Sequence, residues 1–448
     1  MATDELLEEI RELISEREEL GIRGLTDRLG PSDWADILVR LDDDEVAILI
    51  ETLPLDELPE VLEELDPANA AAILRLQPRE EAADLLEAID PDDATDILAE
   101  IPTEDREQIL RAMQPEEAAE IRELSAYPPD TAGGRMTPAF VAIAPDVRAD
   151  DAIVLLRRVA EEAETIYYVY VLDEEEHLLG VLSLHNLVLT RPNTPVRDVM
   201  VADPIRVRAD ADQETAANLL VDKNLLALPV VDAEDRLLGI ITQDDVADVL
   251  EEETTEDFER IGGSQPLDMP YRFAGPRLLV QRRIGWLLFL FLAGLLTSQV
   301  LQHFSERLEG VPILVAYIPL IIGIGGNVGS QTVTTLVRAI GVGEVRLSDV
   351  GWVLAKEMVV GLTVGLIMGV VGYLRVGFPE GFQIGLVVGA TIVCVSLWSA
   401  TVAAMLPLIL DKLGVDPAVV SAPLISTFVD ATGLLIYMTI AGLLLSQI

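Results

Sequence analysis

Apolar residues are arranged in three ways along this chain, and each arrangement predicts a different kind of element. From residue 284 they form long uncharged runs, 284–305, 310–337, 358–374 and 381–410, followed by a last run from Pro417 that only Asp430 interrupts. Each can cross a hydrocarbon core of about 30 Å as a helix, which predicts five membrane spans. Between about 126 and 250, short apolar stretches flank acidic turns. IYYVYVLDEEEHLLGVLSLHNLVLT is echoed 59 residues later by LLALPVVDAEDRLLGIITQDDVADVL, with Gly180 matching Gly239. Each half reads as strand, turn, strand and helix, an α/β repeat pair. In residues 1–125 the apolar positions fall into short phrases, LDPANAAAIL, LQPREEAADLL, IDPDDATDIL, IPTEDREQIL and MQPEEAAEI, whose prolines are 11 to 13 residues apart.

Proline is tolerated in the first turn of a helix, so Pro67, Pro78, Pro91, Pro102 and Pro115 each predict a short helix, with Asp66 and Asp90 as caps. Ala71, Ile73 and Leu74 give one such helix an apolar face too small to be stable alone, and neighbours must stack into a superhelical array. After the α/β pair, QDDVADVLEEETTEDFERIGG continues as an acidic helix that stops at Gly262-Gly263. The expected fold is multidomain and mainly α. It comprises an acidic superhelical N domain (1–125), a tandem α/β pair (126–250), an acidic connecting helix (243–262), a linker (263–283) and a transmembrane domain of five helices (284–448).

The net charge of -46 is unevenly placed: residues 271–448 hold 10 Lys/Arg and 9 Asp/Glu, leaving 21 basic and 68 acidic residues before them. Such a field repels nucleic acid and attracts cations. Only 3 residues are Lys, and adaptation to a salty cytoplasm explains general acidity equally well, so only carboxylates at particular positions are ligand candidates. Cys394 is the sole cysteine, which excludes an intrachain disulfide or a CxxC metal site. The start MATDELLEEI has neither the basic end nor the apolar core of a signal peptide. His177, His185 and His303 form no constellation with a nucleophile, so no enzymatic activity is expected. Arg277, Arg282 and Arg283 precede the first span, and Arg338, Arg346 and Lys356 follow the second. The positive-inside rule then places the N-terminal domains in the cytoplasm of a multi-pass cell-membrane protein. The connection with Asp411, Lys412 and Asp416 falls on the same side without being positive.

An ionisable group inside a span marks a functional site. Asp430 lies 13 residues after Pro417, roughly 20 Å along a helix starting there, and suggests a cation pathway. The second span, IPLIIGIGGNVGSQTVTT, carries Pro319 and the glycines Gly323, Gly325, Gly326 and Gly329. These residues loosen a helix whose carbonyls then need protein or water, or they let neighbouring helices approach closely. Asn327 and Gln331, four apart, favour a hydrated lining. In the N domain Asp92 and Asp96 share one helix face, either as a solvated surface or as a divalent cation site. Asp245, Asp248, Glu252 and Glu256 run down one side of the connecting helix with Asp257 beside them, again either solvated or transmitting cation binding towards the membrane.

Leu228-Pro229-Val230-Val231-Asp232 and Gly239-Ile240-Ile241-Thr242-Gln243-Asp244-Asp245 resemble cystathionine-beta-synthase (CBS) domains. That resemblance implies a small-ligand sensor, often for adenosine nucleotides such as ATP, with Thr242 and Asp245 at the nucleotide. The whole chain resembles the MgtE-type magnesium transporters, through Gly325-Gly326-Asn327-Val328-Gly329-Ser330-Gln331, Lys356-Glu357-Met358, Gly414-Val415-Asp416-Pro417-Ala418 and Asp430-Ala431-Thr432-Gly433. This implies a homodimer in the lipid bilayer whose pore lies between subunits. Asp430, Asp416 and Asn327 would attend the Mg2+ ion, and Gly325, Gly326, Gly329 and Gln331 would line its path. It also implies that cytosolic Mg2+ on Asp92, Asp96, Asp245, Asp248, Glu256 and Asp257 holds the pore closed. Asn224 stands where an acid is expected. Two alternatives stay open on the residues alone: a CBS-regulated transporter of another cation, coupled to protons at Asp430, and a membrane-tethered nucleotide sensor.

Overall fold

The computed structural model describes residues 4–445 except 17–18, 27, 54–57, 161–162 and 268. The chain divides into two units, 1–251 and 252–448. The first begins with short helices: α1 (Asp4–Glu16), α2 (Glu19–Thr26), α3 (Pro31–Leu38), α4 (Asp43–Thr52), α5 (Leu58–Glu63), α6 (Pro67–Leu74), α7 (Arg79–Leu86), α8 (Pro91–Glu100), α9 (Thr103–Ala112) and α10 (Pro115–Leu124). Proline sets their phase in two registers. Pro67, Pro91 and Pro115 occupy the first turn of α6, α8 and α10, whereas Pro78 and Pro102 stand one residue earlier, as the N-caps of α7 and α9. Asp66 caps α6, accepting from the Ala68 N–H at 3.0 Å.

Asp90 does not cap α8 with its side chain, contrary to expectation. Its own N–H donates to Glu63 Oε1 at 3.2 Å, and the Gln114 side-chain amide donates to Glu87 Oε2 at 2.8 Å, both across 27 residues. An acid closing one helix thus reaches the start of a helix three further on, where backbone donors have no partner of their own. The array packs alternately, α6 on α8, α8 on α10 and α7 on α9, around a buried core that includes Trp34, Leu62, Leu74, Leu86 and Leu98.

The tandem repeats follow: β1 (Ala142–Ile143), α11 (Ala149–Val159), β2 (Tyr168–Leu172), β3 (Leu178–Ser183), α12 (Leu184–Leu189), β4 (Val201–Ala202), β5 (Val207–Arg208), α13 (Gln213–Lys223), β6 (Ala227–Val231), β7 (Leu237–Thr242) and α14 (Gln243–Ile261). They build two mixed sheets, β1-β2-β3-β4 and β5-β6-β7. Val171 pairs with Gly180 and Val230 with Gly239, so the sequence echo is also an echo of strand register. Thr137, ahead of the first repeat, pairs instead with Ile240 of β7, its N–H donating at 2.8 Å.

The second unit holds α15 (Pro276–His303), α16 (Ser305–Gly310), α17 (Ile313–Gly341), α18 (Val350–Glu380), α19 (Phe382–Lys412) and α20 (Ala422–Leu444). Five of these are long and apolar enough to cross a membrane. Arg277, Arg282 and Arg283 lie within the first turns of α15, not ahead of it. The glycine-rich second span is not loosened. α17 runs unbroken past Pro319, and Gly325, Gly326 and Gly329 are buried in helix contacts. A Cβ at Gly325 would stand 2.6 Å from Val395 and 2.7 Å from Val429, and one at Gly329 would stand 2.5 Å from Ile425. Ser399 Oγ donates to the Gly325 carbonyl at 2.6 Å. Small residues also seam α18 to α19, where a Cβ at Gly369 would meet the Gly389 carbonyl at 2.8 Å.

Candidate metal centres

Asp430 does not lie where a helix beginning at Pro417 would put it. Pro417–Val419 is a separate 3-10 turn and α20 begins at Ala422, with the Ser421 hydroxyl accepting from the Leu424 N–H. Eight residues of helix, about 12 Å, separate that start from Asp430. Val429 is buried against Gly325, while Asp430 beside it is half-buried and joins no hydrogen bond or ion pair among the described residues. Asn327 and Gln331 are exposed on α17, on either side of glycines whose backbones face α19 and α20.

Asp416 is not part of that arrangement. Its Oδ1 accepts from the Ala418 N–H at 2.7 Å, closing the 3-10 turn, and its Oδ2 pairs with the Arg260 guanidinium, which also holds Glu256. Asp257 stands beside this group, its carboxyl 3.5 Å from where a Cβ of Gly341 would be. Burial, then Asp416 and Glu253, push the Asp257 pKa up to about 6 against the pull of Arg338. The end of α14, the end of α17 and the α19–α20 connection therefore share one side. This places Asp416, with Asp411 and Lys412, on the same side as the end of α14 despite their lack of positive charge.

Asp92 and Asp96, four apart on α8, have different surroundings. Asp96 faces Arg135 at 3.1 Å, and Arg135 also donates to Gln213 at 3.0 Å. Burial raises the Asp96 pKa and Arg135 opposes the rise. Asp248 is likewise raised by burial and by Glu251, and lowered by Arg135. Asp92 differs: burial, then Asp245, Asp93 and Glu164, hold its carboxyl well above the usual range against a backbone hydrogen bond. Asp93 is pushed up to about 8 by burial and then by Asp245. Glu164 is pushed up to about 9 by burial and then by Asp90, which lies within hydrogen-bonding reach. Asp245 Oδ2 accepts from the Thr242 N–H at 2.9 Å and its hydroxyl at 2.7 Å. Burial pushes its pKa up to about 6 against the pull of these bonds.

Sequence reading missed Glu164, Asp93, Arg135 and Arg260. Only Arg260 left a signal, as a lone cation four residues after Glu256 in an acidic helix. A further set, Asp173, Glu175 and His177, brings ligand atoms within 4.8 Å of one another, but Asp173 already accepts from the N–H groups of Glu175 and His177 in its own turn.

Comparison with known proteins matches several parts of the chain to known families. Residues 318–440 match the family described as a divalent cation transporter, 29–130 the intracellular N domain of the same family, and 132–191 and 196–252 CBS domains. The chain is 45% identical over 332 residues to the magnesium transporter MgtE of Thermus thermophilus, covering 73% of each. It is 35% identical over 325 residues to that of Enterococcus faecalis, 72% of this chain and 71% of the relative. Among solved structures, the cytosolic domain of the Mg2+ channel MgtE in complex with ATP aligns with a TM-score of 0.52 at 36% identity, covering 55% of this chain and 100% of that one. The chain belongs to the MgtE family of divalent cation transporters.

Proposed function

We propose how this multi-pass magnesium transporter, with its N-terminal domains in the cytoplasm, carries and regulates its ion. Two copies of the chain form the pore, hydrated Mg2+ passes along Asp430, and Mg2+ bound by the cytoplasmic acids holds the path shut. The single observation that carries the pore reading is Asp430: a carboxylate inside an apolar helix, half-buried, with no partner among the described residues of its own chain. A charge left so in a membrane faces a water-filled path or a second molecule. α15 buries none of its apolar span within the chain, leaving room for both lipid and a partner copy. Mg2+ gives up its water reluctantly, so charge from two Asp430 carboxylates suits it better than a closed cage. Asn327 and Gln331 contact its waters from α17.

The acids of the cytoplasmic unit fit a resident divalent ion, because buried carboxylates without cations repel one another unless one is supplied. Asp92 and Asp245 would hold it in the first unit, and Asp257 in the second, where Arg260 already pairs with Glu256 and Asp416. Asp248 and Asp96 are the weaker candidates, since Arg135 already faces them. Binding favours the closed arrangement, so rising cytosolic Mg2+ lowers flux. For the CBS pair we propose an adenosine nucleotide near Thr242, on the strength of the ATP-bound relative; absence of ATP binding in titration calorimetry would remove it.

The decisive test is Asp430→Ala reconstituted in liposomes. Mg2+ flux is lost while the protein still assembles and elutes as the wild type does. Wild-type flux from a well-folded Asp430→Ala preparation would sink the pore assignment.

A further inference from the structure

The start of α15 reverses the acidic balance of the chain before it. Residues 269–305 hold four arginines, Arg272, Arg277, Arg282 and Arg283, and no acid. Arg277 and Arg283 are exposed and join no ion pair among the described residues. Twenty residues of helix separate Arg283 from His303, the last residue of α15, a length of about 30 Å. That is the thickness of a hydrocarbon core, so both guanidiniums stand at its cytoplasmic edge. Helical spacing puts Arg277 on one strip with Ile284 and Leu288, and Arg283 on one with Val280 and Leu287. All four of these apolar side chains are exposed. Just ahead, Tyr271 and Phe273 are also exposed, and the Arg272 guanidinium lies 4.6 Å from the centre of the Phe273 ring.

Cations without a partner beside exposed hydrocarbon fit one ligand better than others. A free phosphate or an acid of the cytoplasmic unit answers the charge alone, whereas an anionic lipid brings phosphate and acyl chains together. We infer that Arg277 and Arg283 bind the headgroup phosphate of an anionic phospholipid in the cytoplasmic leaflet. Its chains run along Ile284, Leu287 and Leu288, and Tyr271 and Phe273 sit at the headgroup level. The helix that carries this site is fastened to two others. The Gln265 N–H, just after α14, donates to the Arg282 carbonyl at 3.0 Å, and the Trp286 indole N–H donates at 3.0 Å to Ser421 Oγ, the cap of α20. A bound lipid therefore fixes the depth of the segment that joins the acidic connecting helix to the helix of Asp430. Neither the Asp430 pore nor the cytoplasmic closure is needed for the lipid to bind.

The test is native mass spectrometry of the full chain released from nanodiscs of equal parts phosphatidylglycerol and phosphatidylcholine. Wild type should retain phosphatidylglycerol in preference, and excess inorganic phosphate should not displace it. Arg277→Gln and Arg283→Gln should each lower the preference about fivefold, the scale of one arginine at an anionic surface. Arg283→Lys, which keeps the charge, should retain most of it. Arg375→Gln, which removes an exposed arginine from the far end of α18, should leave it unchanged. Melting temperatures equal to wild type keep folding out of the comparison. Equal retention of the two lipids by wild type overturns the site, and so does a preference that the Arg277→Gln/Arg283→Gln double variant keeps. Faster proteolysis of residues 126–134 in that variant, with lipid preference intact, would assign the arginines to the acidic cytoplasmic unit instead. Displacement by phosphate overturns the lipid and leaves a site for a free anion.

Discussion

Asp96 and Asp92 sit one helical turn apart on α8, yet one faces a guanidinium and the other has no ion pair among the described residues. The same division recurs in the second unit, where Asp416 is paired with Arg260 while burial, Asp416 and Glu253 raise Asp257 more than Arg338 lowers it. A tethered cation neutralises an acid permanently, and a mobile ion does so only above some concentration. Clusters with a built-in arginine are therefore fixed joints. Clusters without one are where, in the proposed closure, cytosolic Mg2+ would alter the balance.

Converting a fixed joint into an open one gives the sharpest test of this contrast. Arg135→Leu strands Asp96 in a partly buried site, and the first unit should lose about 2 kcal/mol in EDTA. Added Mg2+ should restore more stability to the variant than to the wild type, as read by thermal melting across a Mg2+ series. Equal gains from Mg2+ in both proteins would show that Asp96 is not open to the ion even when unpaired. A smaller effect is expected at Arg260, whose partners are about one-third exposed. Arg260→Gln should cost about 1 kcal/mol and make proteolysis around residues 252–263 more dependent on Mg2+. Unaltered cleavage would mean that Arg260 does not fasten the helix end.

The least effect belongs to Glu63, an intermediate case that accepts a backbone N–H in place of a cation. Burial, and then repulsion from Asp90, Glu60 and Glu64, raises its pKa from 4.5 to about 7 against that N–H bond. An acid whose folded pKa is raised binds its proton more tightly when folded, so stability falls as pH rises through this window and levels off above it. Glu63→Gln should flatten the melting temperature of the EDTA-treated protein between about pH 4.5 and 7. A slope identical to wild type would assign the pH dependence to other acids.

Much of the architecture was legible because it is written in short-range pattern. The apolar runs announced five long helices, and the match of Gly180 with Gly239 foresaw a strand register that the sheets repeat. The candidate sites were legible only as lists of acids. Spacing put Asp92 with Asp96 and the family motifs put Asp416 with Asp430, whereas the structure separates both pairs. A four-residue interval reports a shared helix face but not what packs against it, and the 3-10 turn after Asp416 resets the phase of α20.

The sequence by itself determined the domain order, the membrane class, the acidic cytoplasmic face and the lone Asp430, since each follows from composition and periodicity along the chain. Only the tertiary structure decided which acids have a cation of their own. Arg135 lies 39 residues from Asp96, and Arg260 lies 156 from Asp416. Glu164 is more than 70 residues from both Asp92 and Asp245. Charges interact through space at a few ångströms, and no local pattern records which distant segments folding will bring that close.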